Sequence, residues 1–139
     1  MRVLVGFLAG FVSTLVFHQG LLFLLHRAGA SPRPAYAMAP TWPLGVPQVI
    51  SLAFWGGLWG AALVLPLARW EGSWAWWAAW IVAGAIGPTL VALLVVLPLK
   101  GGRVAAGGDP KLIAGALLLN GVWGLGTAIL LRLLRRLAG

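Results

Sequence analysis

Hydrophobic positions along this chain fall into four long uninterrupted runs separated by short polar or proline-rich breaks, a pattern unlike the alternation or one-faced periodicity of a soluble domain. The runs predict spans at about residues 3–25, 47–67, 74–99 and 110–131. Each has close to the ~20 apolar residues that a helix needs to cross a bilayer core. The fold class expected is therefore all-α membrane: a four-helix transmembrane bundle, a single integral membrane domain over residues 1–139.

The second run, PQVISLAFWGGLWGAALVLP, organises the rest. Pro47 suits a first helical turn, and Gly56, Gly57 and Gly60 stand among Trp55 and Trp59. The first run carries Gly6 and Gly10 at GxxxG spacing, and the fourth repeats a Gly-x-Trp-Gly step from Gly121 to Gly124. These seven glycines are the candidate helix-packing positions, because small residues let two helices approach closely where no water drives them together.

The breaks set the connectivity. Residues 28–46 contain Pro32, Pro34, Pro40 and Pro43, which exclude a regular helix and favour extended chain. Tyr36, Met38 and Trp42 make that segment apolar enough to lie across the bundle mouth or in the interface, although an ordinary ordered surface loop without function is the favoured reading. The break from Ala68 to Ser73 is short, so spans two and three should be antiparallel neighbours. Trp74, Trp76, Trp77 and Trp80 read as an aromatic belt, and Gly87-Pro88 predicts a break or kink in span three. Asp109-Pro110 supplies an N-cap acid and a first-turn proline for span four.

The two halves echo one another weakly. Ala9-Gly10 followed by Thr14 parallels Ala83-Gly84 followed by Thr89, and Gly57-Leu58-Trp59-Gly60 parallels Gly121-Val122-Trp123-Gly124. Spans one and two would then form one hairpin, and spans three and four another in the same orientation, a parallel repeat of a kind found in transporters.

Composition agrees with the pattern: 61% of residues are hydrophobic and 9% charged, against about 25% charged in soluble domains. The net charge of +8 comes from ten Lys and Arg against Glu71 and Asp109. The basic residues lie at span ends, where they anchor to membrane lipids, so no nucleic-acid partner is expected. Arg132, Arg135 and Arg136, beyond span four, are the candidate contacts to lipid head groups. Ala28-Gly29-Ala30 has the form of a signal-cleavage site, but the apolar run before it is about 23 residues, longer than a signal h-region, and favours a retained span. Five basic residues fall on each side of the four spans, which leaves orientation open between one fixed insertion and insertion both ways.

Polar side chains within the spans cluster in the halves remote from the N-terminus. Gln48 and Ser51 open span two, His18 and Gln19 lie about 10 Å from the far end of span one, and Thr89 and Asn120 lie about 12–15 Å deep. Together they form a candidate polar pocket between the helices; the alternative is that they hydrogen-bond one another at about 0.6 kcal/mol each and hold the bundle together. With two His, two acids, one Tyr and no Cys, the chain lacks paired carboxylates, a His–acid dyad and a zinc ligand set, so no enzyme, cofactor or metal site is expected. His18 and His26 are about 12 Å apart along one helix and cannot both ligate one haem.

In size and span number the chain is similar to the small multidrug-resistance transporters, without their acidic first-span residue. It also differs from the four-helix fluoride channels, having no Thr-Phe-Ser-Thr-Phe run and carrying Asn120-Gly121 in another span. Its length and span pattern resemble small four-helix bacterial inner-membrane proteins, which implies a multi-pass inner-membrane location and no activity. The expectation is a non-enzymatic accessory or structural subunit that forms a homo-oligomer or docks to a larger membrane complex. The alternative is a small channel or transporter for a neutral or anionic solute.

Overall fold

The computed structural model describes residues 1–138, and they are almost wholly helical. Helix α1 runs Arg2–Arg27, α2 Gln48–Leu67, α3 Trp74–Leu99 and α4 Pro110–Ala138. A 3-10 turn, Ala68–Trp70, extends α2. All four helices are long and apolar enough to cross a membrane, judged by length and composition. Successive helices are antiparallel, so the N-terminus, the α2–α3 turn and the end of α4 share one end of the bundle, called end A. The other two connections lie at end B.

Element boundaries follow local chemistry. Asp109 caps α4, its Oδ1 accepting the Lys111 N–H at 2.9 Å. Pro47 is the N-cap of α2, with helical geometry starting at Gln48. α4 continues past Leu131 to Ala138, because the Leu- and Arg-rich sequence there consists of good helix formers; Arg132, Arg135 and Arg136 therefore stand on the helix and not beyond it. Gly87-Pro88 is carried inside α3, so a single missing N–H does not end this helix against its packing on α4. The irregularity appears further on as a π turn at Ala92–Val96, matched in α1 by a π turn at Thr14–His18. The proline-rich connection folds back as a two-residue antiparallel ladder, β1 (Pro40–Thr41) with β2 (Val46–Pro47), and the N–H groups of Gln48 and Val49 donate to Ala39 and Ala37.

α1 and α2 meet backbone to backbone. A methyl group added at Gly6 would lie 2.7 Å from the Gly60 carbonyl oxygen, and one at Gly10 would overlap the Gly56 carbonyl. Phe7 covers Gly57 so closely that a methyl there would be 2.6 Å from the ring. α3 and α4 meet in the same way: a methyl at Gly84 would lie 2.9 Å from the Asn120 oxygen and the Gly124 Cα, and Gly124 abuts the Trp80 carbonyl. Two crossings join the pairs. Ser13 of α1 meets Trp123 of α4, and Gly87 of α3 faces the Trp59 ring of α2, with a methyl there only 3.1 Å from the indole.

Towards end A, Ala9, Val64, Leu67, Trp76, Trp80, Ala128 and Leu131 form one buried cluster. The outer surfaces of the two pairs differ. Phe7, Phe11 and Phe54 cover the α1–α2 seam with ring centroids 6.1 and 5.9 Å apart. The α3–α4 seam instead carries an open groove of about 240 Å³ over Ile81, Ala85, Leu118 and Gly121.

Gly20, by contrast, has nothing within 4 Å of an added methyl. Gly10→Ala should therefore destabilise the fold by about 1–3 kcal/mol through overpacking. Gly20→Ala should be neutral or stabilising by up to about 1 kcal/mol. Unfolding of the purified variants in mixed micelles, followed by circular dichroism, checks both.

Candidate polar site between the helices

The most deeply buried polar groups lie mid-bundle, nearer end A than the sequence-predicted set. Two carbonyl oxygens each accept two side-chain donors. The Gly10 oxygen takes the Thr14 hydroxyl and the Trp123 Nε1, both at 3.0 Å. The Trp123 oxygen takes the Ser13 hydroxyl at 2.7 Å and the Thr127 hydroxyl at 2.9 Å. Ser13 and Thr127 are fully buried, and Thr14 and Trp123 nearly so. This knot ties α1 to α4. It has room because Gly56 of α2 carries no side chain: a methyl there would overlap the Thr14 hydroxyl and lie 3.1 Å from the Trp123 Nε1 and from the Gly10 oxygen.

The six residues of the expected pocket fall into separate groups. Asn120 Nδ2 donates to Thr89 Oγ1 at 2.9 Å, joining α4 to α3. His18 and Gln19 stay together on α1, where Gln19 Nε2 donates to His18 Nδ1 at 3.2 Å. Gln48 is exposed at the start of α2, and Ser51, one turn on, is half-buried. Among the described residues no side-chain hydrogen bond links the His18–Gln19 pair to Asn120 or Thr89.

The proline-rich connection reaches the His18–Gln19 pair. The Tyr36 N–H donates to Gln19 Oε1 and its hydroxyl to the Leu15 carbonyl, both at 2.8 Å. Leu15 lies within the π turn, where the regular carbonyl ladder is interrupted and an outside donor is useful. Tyr36 adopts the left-handed region, φ 56°, which turns the chain so that both of its donors face α1. The connection is thus strapped over the end-B half of α1.

Of the candidate packing glycines, Gly6, Gly10, Gly56, Gly57, Gly60 and Gly124 all lie at approaches too close for a side chain. Gly121 is looser, with Ala85 3.5 Å from an added methyl. The three arginines at the end of α4 separate: Arg135 pairs with Glu71 of the α2–α3 turn, Arg132 lies 5.7 Å from the centre of the Trp77 ring, and Arg136 is exposed. Among the described residues no group of three His, Cys, Asp or Glu is placed to hold a metal ion.

Compared with family models, with curated proteins and with solved structures, the chain matches none of them.

Ser13, Thr14 and Thr127 are not among the pocket residues expected from the sequence. The available signal was spacing: Thr127 lies four residues after Trp123 and so shares its helix face.

A double-mutant cycle on Thr89→Val and Asn120→Leu should give a coupling energy of about 0.6 kcal/mol and no more than about 1.7 kcal/mol. Tyr36→Phe removes one of the two strap bonds while keeping the ring. Amides of residues 35–39 should then exchange several-fold faster with deuterium, while those in the centre of α1 stay unchanged.

Proposed function

We propose that the chain is a non-enzymatic, multi-pass membrane protein, built as a transmembrane bundle of two equivalent helical hairpins. It acts as an accessory or structural subunit that self-associates or docks to a larger complex in a bacterial inner membrane. The equivalence of the hairpins is supported by contacts that recur where the sequence echo aligns them. Gly10 on Gly56 corresponds to Gly84 on Asn120, Gly6 on Gly60 to Trp80 on Gly124, and Phe7 on Gly57 to Ile81 on Gly121. The crossings Ser13–Trp123 and Gly87–Trp59 correspond too, which is the relation produced by a half-turn about an axis along the helices.

One observation carries the functional reading: Ser13, Thr14, Thr89, Thr127, Asn120 and the Trp123 indole all spend their hydrogen bonds on backbone or on one another. Groups so engaged hold helices together; a translocated solute would have to break those bonds. Supporting non-enzymatic character, none of these side chains is an acid, a base or an activated nucleophile. Apolar surface on every helix, Leu8, Phe54, Val82 and Leu118 among it, suits contact with acyl chains or with other helices.

A carrier or channel for a neutral or anionic solute is the second reading. It is favoured by the strapped His18–Gln19 pair, since polar groups within a span and π turns both recur at functional sites. Flux across liposomes separates the two. Transport that disappears in His18→Leu and Asn120→Leu with assembly intact would establish the carrier; no flux in the wild type leaves the accessory role.

Topology is the direct test of the architecture, and the natural absence of Cys makes it clean. Single Cys residues placed at Gly72, in the end-A turn, and at Gly102, in the last end-B connection, should each be labelled from one side of intact cells, and from opposite sides. Labelling of both from the same side would refute four spans. Labelling of each from both sides would mean dual insertion and move the carrier ahead.

A further inference from the structure

The half-turn relation between the hairpins pairs two very different side chains at end A, Trp76 and Arg2. At the start of α3, Trp76 is 1% exposed and packs against Trp77 and Trp80, with ring centroids 5.1 and 6.4 Å away. It seals end A of its hairpin. The equivalent position at the start of α1 is Arg2, which is exposed and seals nothing. A pocket of about 290 Å³ remains there, with Val5, Val64 and Leu131 as its apolar lining and Arg2, Arg135 and Glu71 among its charged members. Val64 and Leu131 belong to the buried core, so the pocket reaches inward from the surface to hydrocarbon.

Its charge is unbalanced. Glu71 is paired with Arg135, and among the described residues Arg2 makes no ion pair. Two guanidinium groups and one carboxylate leave one positive charge beside an apolar floor. A ligand that satisfies both features carries an anion on a hydrocarbon body. Guanidinium offers paired N–H donors that match phosphate oxygens, and basic pockets between membrane helices bind phospholipid head groups. A free phosphate would satisfy Arg2 but leave the apolar lining uncovered.

We infer that this pocket binds one anionic phospholipid, its phosphodiester between Arg2 and Arg135 and its glycerol and first acyl carbons against Val5, Val64 and Leu131. The inference rests on the membrane-spanning reading above. It assigns Arg2, which lines the pocket, and not Arg136, which does not, as the selective contact. The pocket is the counterpart of the Trp76 plug: lipid completes in one hairpin what an indole completes in the other.

The test uses the full chain. Flotation with phosphatidylcholine vesicles first establishes membrane insertion. Thermal unfolding in neutral detergent is then titrated with phosphatidylglycerol, with phosphatidylcholine and with inorganic phosphate, for the wild type and for Arg2→Gln, Arg136→Gln and Arg2→Trp. Expected is a saturable rise in Tm with phosphatidylglycerol alone, at one lipid per chain by native mass spectrometry. The half-saturating concentration should rise about five-fold in Arg2→Gln, the worth of one basic contact at a membrane surface, and stay unchanged in Arg136→Gln. Arg2→Trp, imitating the other hairpin, should raise the lipid-free Tm and abolish the phosphatidylglycerol response.

Equal responses in wild type and Arg2→Gln, or equal losses in Arg2→Gln and Arg136→Gln, would overturn the site in favour of diffuse attraction. Full stabilisation by inorganic phosphate, with nothing added by lipid, would overturn the lipid assignment. Should Arg2→Trp misfold, Arg2→Gln against Arg136→Gln still decides. Chain that floats but shows no phosphatidylglycerol preference sinks this site and leaves the membrane reading standing; chain that does not float sinks that reading itself.

Discussion

Two backbones touching at glycine is the constraint from which the rest of this structure follows. Gly10 against Gly56 and Gly6 against Gly60 bring α1 and α2 together without intervening side chains. In hydrocarbon, helices gain nothing from leaving water, so association depends on close packing and on polar contacts. Close approach also leaves room for polar contacts beside it. The Gly10 oxygen accepts from the Trp123 indole, and the Ser13 hydroxyl donates to the Trp123 oxygen, so two bonds join α1 to α4. The packing and the polar knot meet at Gly56, where a methyl would press on Gly10, Thr14 and Trp123 together.

The polar chemistry of the bundle is directed inward and towards itself. Hydroxyls return to backbone carbonyls, Asn120 finds Thr89, and Gln19 is shared between its neighbour His18 and the connection that crosses above it. Each such bond contributes little, yet leaving any partner unpaired in an apolar interior costs about 1–3 kcal/mol. The knot therefore selects one arrangement of helices more than it stabilises them. Trp80 shows the opposite case: its Nε1 is buried with no partner among the described residues, held in place by the packing of its ring in the end-A cluster.

Much of this was legible in the chain before its structure. Four long apolar runs predicted the helices, Asp109-Pro110 the start of α4, and the spacing of Gly6, Gly10, Gly56 and Gly60 the tight faces. What could not be read was which polar groups would meet. His18 and Asn120 share a depth, but depth leaves rotation about the helix axis undetermined, and they bond to different neighbours. The strap was hidden for another reason. It needs a left-handed turn at Tyr36 and an irregular turn around Leu15, neither of which has a signature in residue type. The helix runs on past Leu131 because the Leu- and Arg-rich sequence there consists of good helix formers, and Arg132 lies over the Trp77 ring.

The outer seams carry one more consequence. Along α1 and α2 the surface bulges with Phe7, Phe11 and Phe54; at the same height on the opposite side it is hollow over Ala85 and Gly121. Looked down from either end, the molecule has a convex flank and a concave one, and so it points in a definite direction within the plane of its surroundings. Rotating it by half a turn would exchange ridge for hollow, so neighbours on its two sides meet different shapes.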